Sequence, residues 1–264
     1  MWIAFLGPLR VAGSAGAVLV RAAKHRSLLA ALAARAGNVV SVDSLAETIW
    51  DSGPPTSWRV TLRTYVMRLR EALGPADGAR IVAVPSGYLL NADSDELDLL
   101  SFESLCSAGL AAERAGDWGR AATVLADAER LWRGVPFADI PSRSAHEAYM
   151  YYLEEKRFAA LEARIRADVR LSLLGAAHAI PDLRRLVADH PERERLRGLL
   201  MLALYRAGRQ AEAFGVFRDA RMFATTELGV EPDRVLAEGY RHMLAADTRL
   251  LSEPLNDHEG LVLC

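Results

Sequence analysis

Apolar residues recur every three or four positions along most of this 264-residue chain and alternate in short runs only near its start and around residues 80–90. The first spacing belongs to helices with one buried side and the second to strands, so the pattern predicts a mainly α protein with a small β component. Ile3 to Val11 alternates weakly and is broken by Gly7-Pro8. Ala17 to Val20 is a second short strand, and Gly13 to Gly16 turns between them, so the chain opens on a small antiparallel sheet. Lys24 to Ala36 is a helix that buries Leu28, Leu29, Leu32 and Ala33, and Gly37-Asn38 ends it. Lys24, His25 and Arg26 in its first turn oppose the helix dipole, which points to an anion nearby. Ser41 or Asp43 caps a further helix, Val42 to Trp50, with Leu45, Ile49 and Trp50 inward.

The next helix carries the densest information. Pro54-Pro55 with Thr56 or Ser57 gives its start and Gly74-Pro75 its stop. Between them Trp58, Leu62, Tyr65, Val66, Leu69 and Leu73 fall on one side at about 100° per residue. Arg59, Arg63 and Arg70 lie along one polar edge, and Ser57, Thr61, Thr64 and Arg68 along the other. Four arginines against Glu71 make the exposed surface basic. Such a helix suits a DNA major groove, where arginine pairs with guanine or phosphate and threonine meets a thymine methyl or a phosphate oxygen. Arg80 to Leu90 then holds two apolar runs separated by Pro85-Ser86-Gly87, a hairpin. Strands, three short helices with the last basic, and a hairpin form a winged helix-turn-helix.

Asp93 to Asp98 is polar and marks a boundary. Beyond it the predicted elements are all helical: Leu99–Ala115, Trp118–Trp132, Ser144–Leu173, Ile180–Asp189, Glu192–Ala207, Arg209–Glu227 and Asp233–Ala246. Ala115-Gly116-Asp117 and Ala207-Gly208-Arg209 break paired helices in the same way, with small residues following. This is a degenerate tetratricopeptide-like pattern, with Ser144–Leu173 as a connector. Leu199, Leu200, Leu202, Ala203 and Tyr205 read as core, and the Arg- and Glu-rich stretch 184–197 as a solvated face. The expected division is residues 1–92, a DNA-binding domain; 93–250, an all-α domain; and 251–264, a flexible tail.

Charge supports this division. Residues 1–92 hold 10 basic and 5 acidic side chains, a balance of +5, and the remainder holds 22 and 29, a balance of −7. A basic module joined to an acidic one fits nucleic-acid binding plus protein contacts. Cys106 and Cys264 have no metal-ligand spacing, and Cys106 reads as a buried thiol. The six histidines are scattered and read as surface or capping residues. Phosphate-cradling glycine loops, zinc motifs and a nucleophile elbow are missing, so no catalytic residue, metal or cofactor is expected. The start lacks the basic leader of a secretion signal, and no run is long and uncharged enough to span a bilayer, so the expectation is a cytoplasmic, nucleoid-associated protein with no membrane partner.

The order of elements and certain residues resemble the SARP family, actinobacterial activators of antibiotic biosynthesis. The first part is similar to the OmpR-like winged helix in Phe5-Leu6-Gly7-Pro8-Leu9, Lys24-His25-Arg26-Ser27-Leu28-Leu29-Ala30, Asp43-Ser44-Leu45-Ala46-Glu47-Thr48-Ile49-Trp50, Arg63-Thr64-Tyr65-Val66-Met67-Arg68-Leu69-Arg70 and Gly87-Tyr88. The second resembles the bacterial transcriptional activation domain in Leu202 to Ala213 and Leu228-Gly229-Val230-Glu231-Pro232. The resemblance implies an activator that binds direct repeats near a promoter as a head-to-tail homodimer and recruits RNA polymerase holoenzyme. It implies that Arg63, Thr64 and Arg68 face bases and that Trp50, Arg59, Thr61 and Arg70 face phosphates, with Lys24 and Arg26 as additions. The wing comprises Arg80, Ser86, Gly87 and Tyr88. Family members often carry a basic residue beside Gly-Tyr, where Ser86 and Leu89 stand here. No sensor segment follows the helical part, which reads as a small two-domain member. A different reading is a helical-repeat adaptor or effector-binding protein that uses the winged helix for protein contacts and has little DNA affinity.

Overall fold

A computed structural model describes residues 1–14, 16–50, 53–141 and 146–252. It is mainly helical, with small sheets confined to the first 90 residues. By compactness it divides into two units: Met1–Ser107 with Ala126–Ala159, and Ala108–Leu125 with the chain from Ala160 onward. The helices α5 (Asp98–Arg114), α6 (Trp118–Arg130) and α7 (Glu147–Leu171) each contribute residues to both.

In the first unit, β1 (Trp2–Ala4), β2 (Arg10–Gly13) and β3 (Gly16–Ala17) form an antiparallel sheet in that order, with Ile3 opposite Val11. After Ala4 the ladder stops, and Asp98 replaces it. Its two carboxylate oxygens accept the Phe5 and Leu6 N–H groups at 2.8 and 2.9 Å, and Arg133 lies 3.4 Å away. The buried Asp98 therefore fastens the opening strand to the start of α5. Burial pushes its carboxyl above the usual range, opposed by the two N–H groups and Arg133. The boundary stretch read from its polarity is thus partly core: Ile3 also donates to the Glu96 carbonyl, and Leu97 is fully buried.

Three helices follow: α1 (Ala23–Ala33), α2 (Val42–Ile49) and α3 (Trp58–Leu73). Ser41 caps α2 by accepting the Ser44 N–H at 3.1 Å. Ser57 stands at the start of α3 without a side-chain cap, so the hydroxyl start signal is not used there. A one-turn helix α4 (Pro75–Gly78) fills the turn after α3. The hairpin of β5 (Ile81–Val84) and β6 (Gly87–Leu90) forms where alternation predicts it. Sequence reading misses its third strand, β4 (Val40–Ser41), which pairs with β6 through Val40 opposite Tyr88. A Cβ on Gly87 would lie 2.0 Å from the Val40 carbonyl oxygen, so β4 and β6 can meet only over a glycine.

The second unit is built around α9 (Glu194–Arg206), every residue of which from Leu196 to Arg206 is buried. Helices α8 (Leu173–Asp189), α10 (Gln210–Phe223) and α11 (Arg234–Leu244) pack on it. Leu199, Leu200, Leu202, Ala203 and Tyr205 are core, as expected. Arg197 is buried as well, so the predicted solvated face ends before it. Helix α8 begins at Leu173, seven residues before the expected start, because Ser172 caps it on the Gly175 N–H at 2.9 Å. Pro181 sits inside α8 and removes one hydrogen bond, a loss set against the buried row Ala176, Ala179, Ile180, Leu183 and Leu186.

The two related helix breaks share one geometry. Gly116 and Gly208 have φ of 73° and 75°, and the next residue donates back five positions, Asp117 to Ala112 and Arg209 to Leu204. Both are Schellman ends, which need a residue comfortable at positive φ. Ala121 and Ala213 just beyond them are fully buried, and α10 continues into a π-helical turn, Ala224–Leu228. The predicted start at Ser144 and the tail from residue 253 lie outside the described residues.

Candidate nucleic-acid interface

Helix α3 carries the candidate interface. Leu62, Val66, Leu69 and Leu73 are buried along one side, while Trp58 and Tyr65 are half-buried at its margins. Tyr65 is held between the rings of Trp50, stacked at 5.9 Å, and His25, edge-on at 5.4 Å. This aromatic group joins all three helices. Burial, and then the charge of Arg68, lower the His25 pKa below the ordinary imidazole value.

The expected base-facing residues all lie on the open part of α3. Arg63 and Arg68 are exposed, and neither makes a hydrogen bond or ion pair with another described residue. Thr64 is half-exposed, and its hydroxyl donates to the Val60 carbonyl at 3.1 Å. Sequence reading overlooks two neighbours, Val60 and Met67, which are 66% and 51% exposed. Charge pattern gives no sign of them, although helical spacing places them between the arginines.

The expected phosphate-facing residues differ in how far their donors are already engaged. Arg59 lies 4.5 Å above the Trp58 ring and pairs at 3.2 Å with Asp43, both ends well exposed. Such a pair is weak and exchangeable. The Thr61 hydroxyl donates to the Ser57 carbonyl at 3.3 Å. Lys24 donates to the Ile49 carbonyl. Arg26 donates to the Asp139 and Arg21 carbonyls at 3.1 and 2.8 Å. Arg70 gives Nε and Nη2 to the Ile81 carbonyl, tying α3 to the hairpin. At the wing, Pro85 and Ser86 are exposed, whereas Gly87 and Tyr88 are buried. Arg80 pairs with Glu96 and so turns its charge inward.

Elsewhere the chemistry is structural. Cys106 is buried, and desolvation raises its thiol to about 11. His146 is also buried, contrary to the expected surface position, because it stacks on Phe137 at 5.0 Å; burial lowers its pKa to about 4. Among the described residues no cluster of side chains could hold a metal ion, and no helix is long and apolar enough to cross a membrane.

A winged helix with an outward basic helix, followed by helical pairs, defines a class of transcriptional regulator, and comparison with known proteins gives the same class. Residues 16–90 match the family described as "Transcriptional regulatory protein, C terminal", and residues 97–244 match "Bacterial transcriptional activator domain". The regulatory protein DnrI of Streptomyces peucetius is 34% identical, over 94% of this chain and 93% of its own length. The regulatory protein AfsR of Streptomyces griseus is 37% identical over 93% of this chain, but the match spans only 24% of AfsR. The solved structure of Mycobacterium tuberculosis EmbR, in complex with a low-affinity phosphopeptide, superposes with a TM-score of 0.84 at 29% identity, covering 97% of this chain and 66% of that one. The chain belongs to the SARP family of transcriptional regulators, which are not enzymes.

Proposed function

We propose that this protein binds double-stranded promoter DNA sequence-specifically and activates transcription of a secondary-metabolite, antibiotic-type gene cluster. The observation that carries the proposal is the pair Arg63 and Arg68, exposed on α3 with no hydrogen-bonding or ionic partner inside the described protein. With Thr64 they read base edges, while Arg59, Thr61 and Trp50 face phosphates. Lys24, Arg26 and Arg70 already serve carbonyl groups of their own chain, so they reach phosphate only through remaining donors, such as Nη2 of Arg26 and Nη1 of Arg70. Residues 1–92 are the DNA module and residues 93–250 the activation module. Family membership supports a head-to-tail homodimer on direct repeats, recruitment of RNA polymerase holoenzyme, and action at the nucleoid in the cytoplasm.

The test is a gel-shift titration of the full chain on a duplex selected from randomised DNA, at two salt concentrations. Affinity falls steeply with salt, with a log–log slope of about −0.9 per phosphate neutralised. Absence of binding even at low salt favours the adaptor reading. Arg68→Ala relaxes the preference at one base position, a change worth roughly 1–3 kcal/mol. Identical preferences for this variant and the parent remove Arg68 from base reading. Footprinting the bound protein across its host genome identifies the regulated genes.

A further inference from the structure

The outward face of α3 is not uniformly polar. At 100° per residue Val60, Thr64, Met67 and Glu71 fall within about 60° of one another, opposite the buried row Leu62, Val66, Leu69 and Leu73. Arg63 flanks this ridge on one side and Arg68 on the other. The Thr64 hydroxyl is already donated to Val60, so the middle of the ridge offers two apolar side chains and a methyl group. An isopropyl group and a thioether gain nothing from phosphate. In the major groove the apolar feature of a base edge is the C5-methyl group of thymine. The flanking guanidinium groups supply the charge complementarity that brings a duplex to this face.

We infer that Val60 and Met67 determine specificity by packing on thymine C5-methyl groups. The inference rests on the DNA-binding reading above and assigns it a second kind of readout beside the arginine contacts. Seven residues along a helix separate the two side chains by about 10 Å, or about three base-pair steps along a strand. The preferred duplex therefore carries two thymines about three steps apart, one beyond the position read by Arg63 and the other close to the position read by Arg68.

The experiment uses the full chain and the duplex it selects from randomised DNA. Each thymine in turn is replaced by deoxyuridine, which deletes only the methyl group and leaves the protein untouched. Two positions about three steps apart are expected to lose about fourfold in affinity each, the equivalent of roughly 0.8 kcal/mol for one buried methyl-sized group. Met67→Ala is expected to abolish the sensitivity at one position and Val60→Ala at the other. Both residues are exposed, so melting temperatures are expected to match the parent. Tight binding with every thymine indifferent to methyl loss overturns the inference while leaving the DNA-binding reading intact. So does methyl sensitivity that persists unchanged in both variants, or a selected duplex with no thymine at these spacings. Loss of self-association in Met67→Ala with methyl sensitivity retained assigns the ridge to a second copy of the chain and overturns it as well. Failure to select or bind any duplex at low salt overturns both readings together.

Discussion

Helices α3 and α9 both carry arginines at helical spacing, yet the side chains do opposite work. On α3, Arg63 and Arg68 stand in solvent and give no donor to another described residue. On α9, Arg197 and Arg206 are buried. Arg197 donates through Nε and Nη2 to the Pro191 carbonyl at 3.2 and 3.0 Å and lies 5.0 Å over the Phe223 ring. Arg206 donates through Nη1 to the Leu250 and Ser252 carbonyls at 2.7 and 2.9 Å. A guanidinium keeps its charge under all ordinary conditions, so its role follows from what consumes its N–H groups. Carbonyl groups at helix ends and turns make it structural, and their absence leaves it for a ligand. Arg70 stands between these limits, on the same helix as Arg63 and Arg68 but tied to the Ile81 carbonyl.

The strongest way to break this contrast is to remove a buried arginine. Arg206→Ala leaves two carbonyl oxygens without their charged donor and opens space beside α9. Hydrogen bonds to charged groups are worth about 1.5–3 kcal/mol each, so a loss of about 3 kcal/mol or more is expected in urea denaturation, with DNA affinity unchanged while the protein stays folded. A loss below 1 kcal/mol would mean that the guanidinium contributes little there, and the structural half of the contrast would fail.

Burial acts differently on a base that can give up its proton. His146 has a folded pKa of about 4 against an ordinary value near 6.5. Between these values the unfolded chain binds the proton and the folded one does not. The contribution is therefore fully present above pH 6.5 and is lost as pH falls toward 4, amounting to about 3 kcal/mol. His146→Phe keeps a ring against Phe137 and cannot take the proton. Its stability is expected to fall less than the parent's between pH 6.5 and 4, by about that amount, in paired denaturation series. Equal pH slopes would show that His146 is not the group being charged.

What could be read from the chain alone follows the same division between local and distant causes. Helix α3, the hairpin and the two glycine breaks are specified by neighbouring residues, and they form where spacing places them. Strand β4 depends on Val40 meeting Tyr88 across 48 positions, and two residues carry too little pattern to announce it. Asp98 reads as a polar boundary residue because its composition is that of a linker. Its burial depends on the Phe5 and Leu6 N–H groups, which arrive from the far end of the first unit's sequence. Arg197 reads as solvated because charge pattern cannot reveal that α9 is enclosed on all sides. For the interface, the arginines were legible from charge, whereas Val60 and Met67 were not, since an exposed apolar residue resembles an ordinary one until the fold shows what surrounds it. Compactness and family also divide the chain differently. The matched families meet between residues 90 and 97, while the compact units both draw on α5, α6 and α7.

The smallest expected effect sharpens the comparison most. Arg68→Ala and Arg63→Ala remove exposed side chains that pair with nothing inside the described protein, so each is expected to change unfolding free energy by less than about 0.5 kcal/mol. Arg68→Ala should even relieve its repulsion of a protonated His25, since Arg68 is one cause of that group's lowered pKa. The His25 pKa, followed by NMR, is therefore expected to rise in Arg68→Ala and to stay fixed in Arg63→Ala, with burial holding it below the ordinary value in both. If Arg68→Ala instead destabilises the fold by 1 kcal/mol or more, the guanidinium is doing structural work that its geometry does not reveal. The distinction between spent and unspent arginines would then no longer identify the surface that meets DNA.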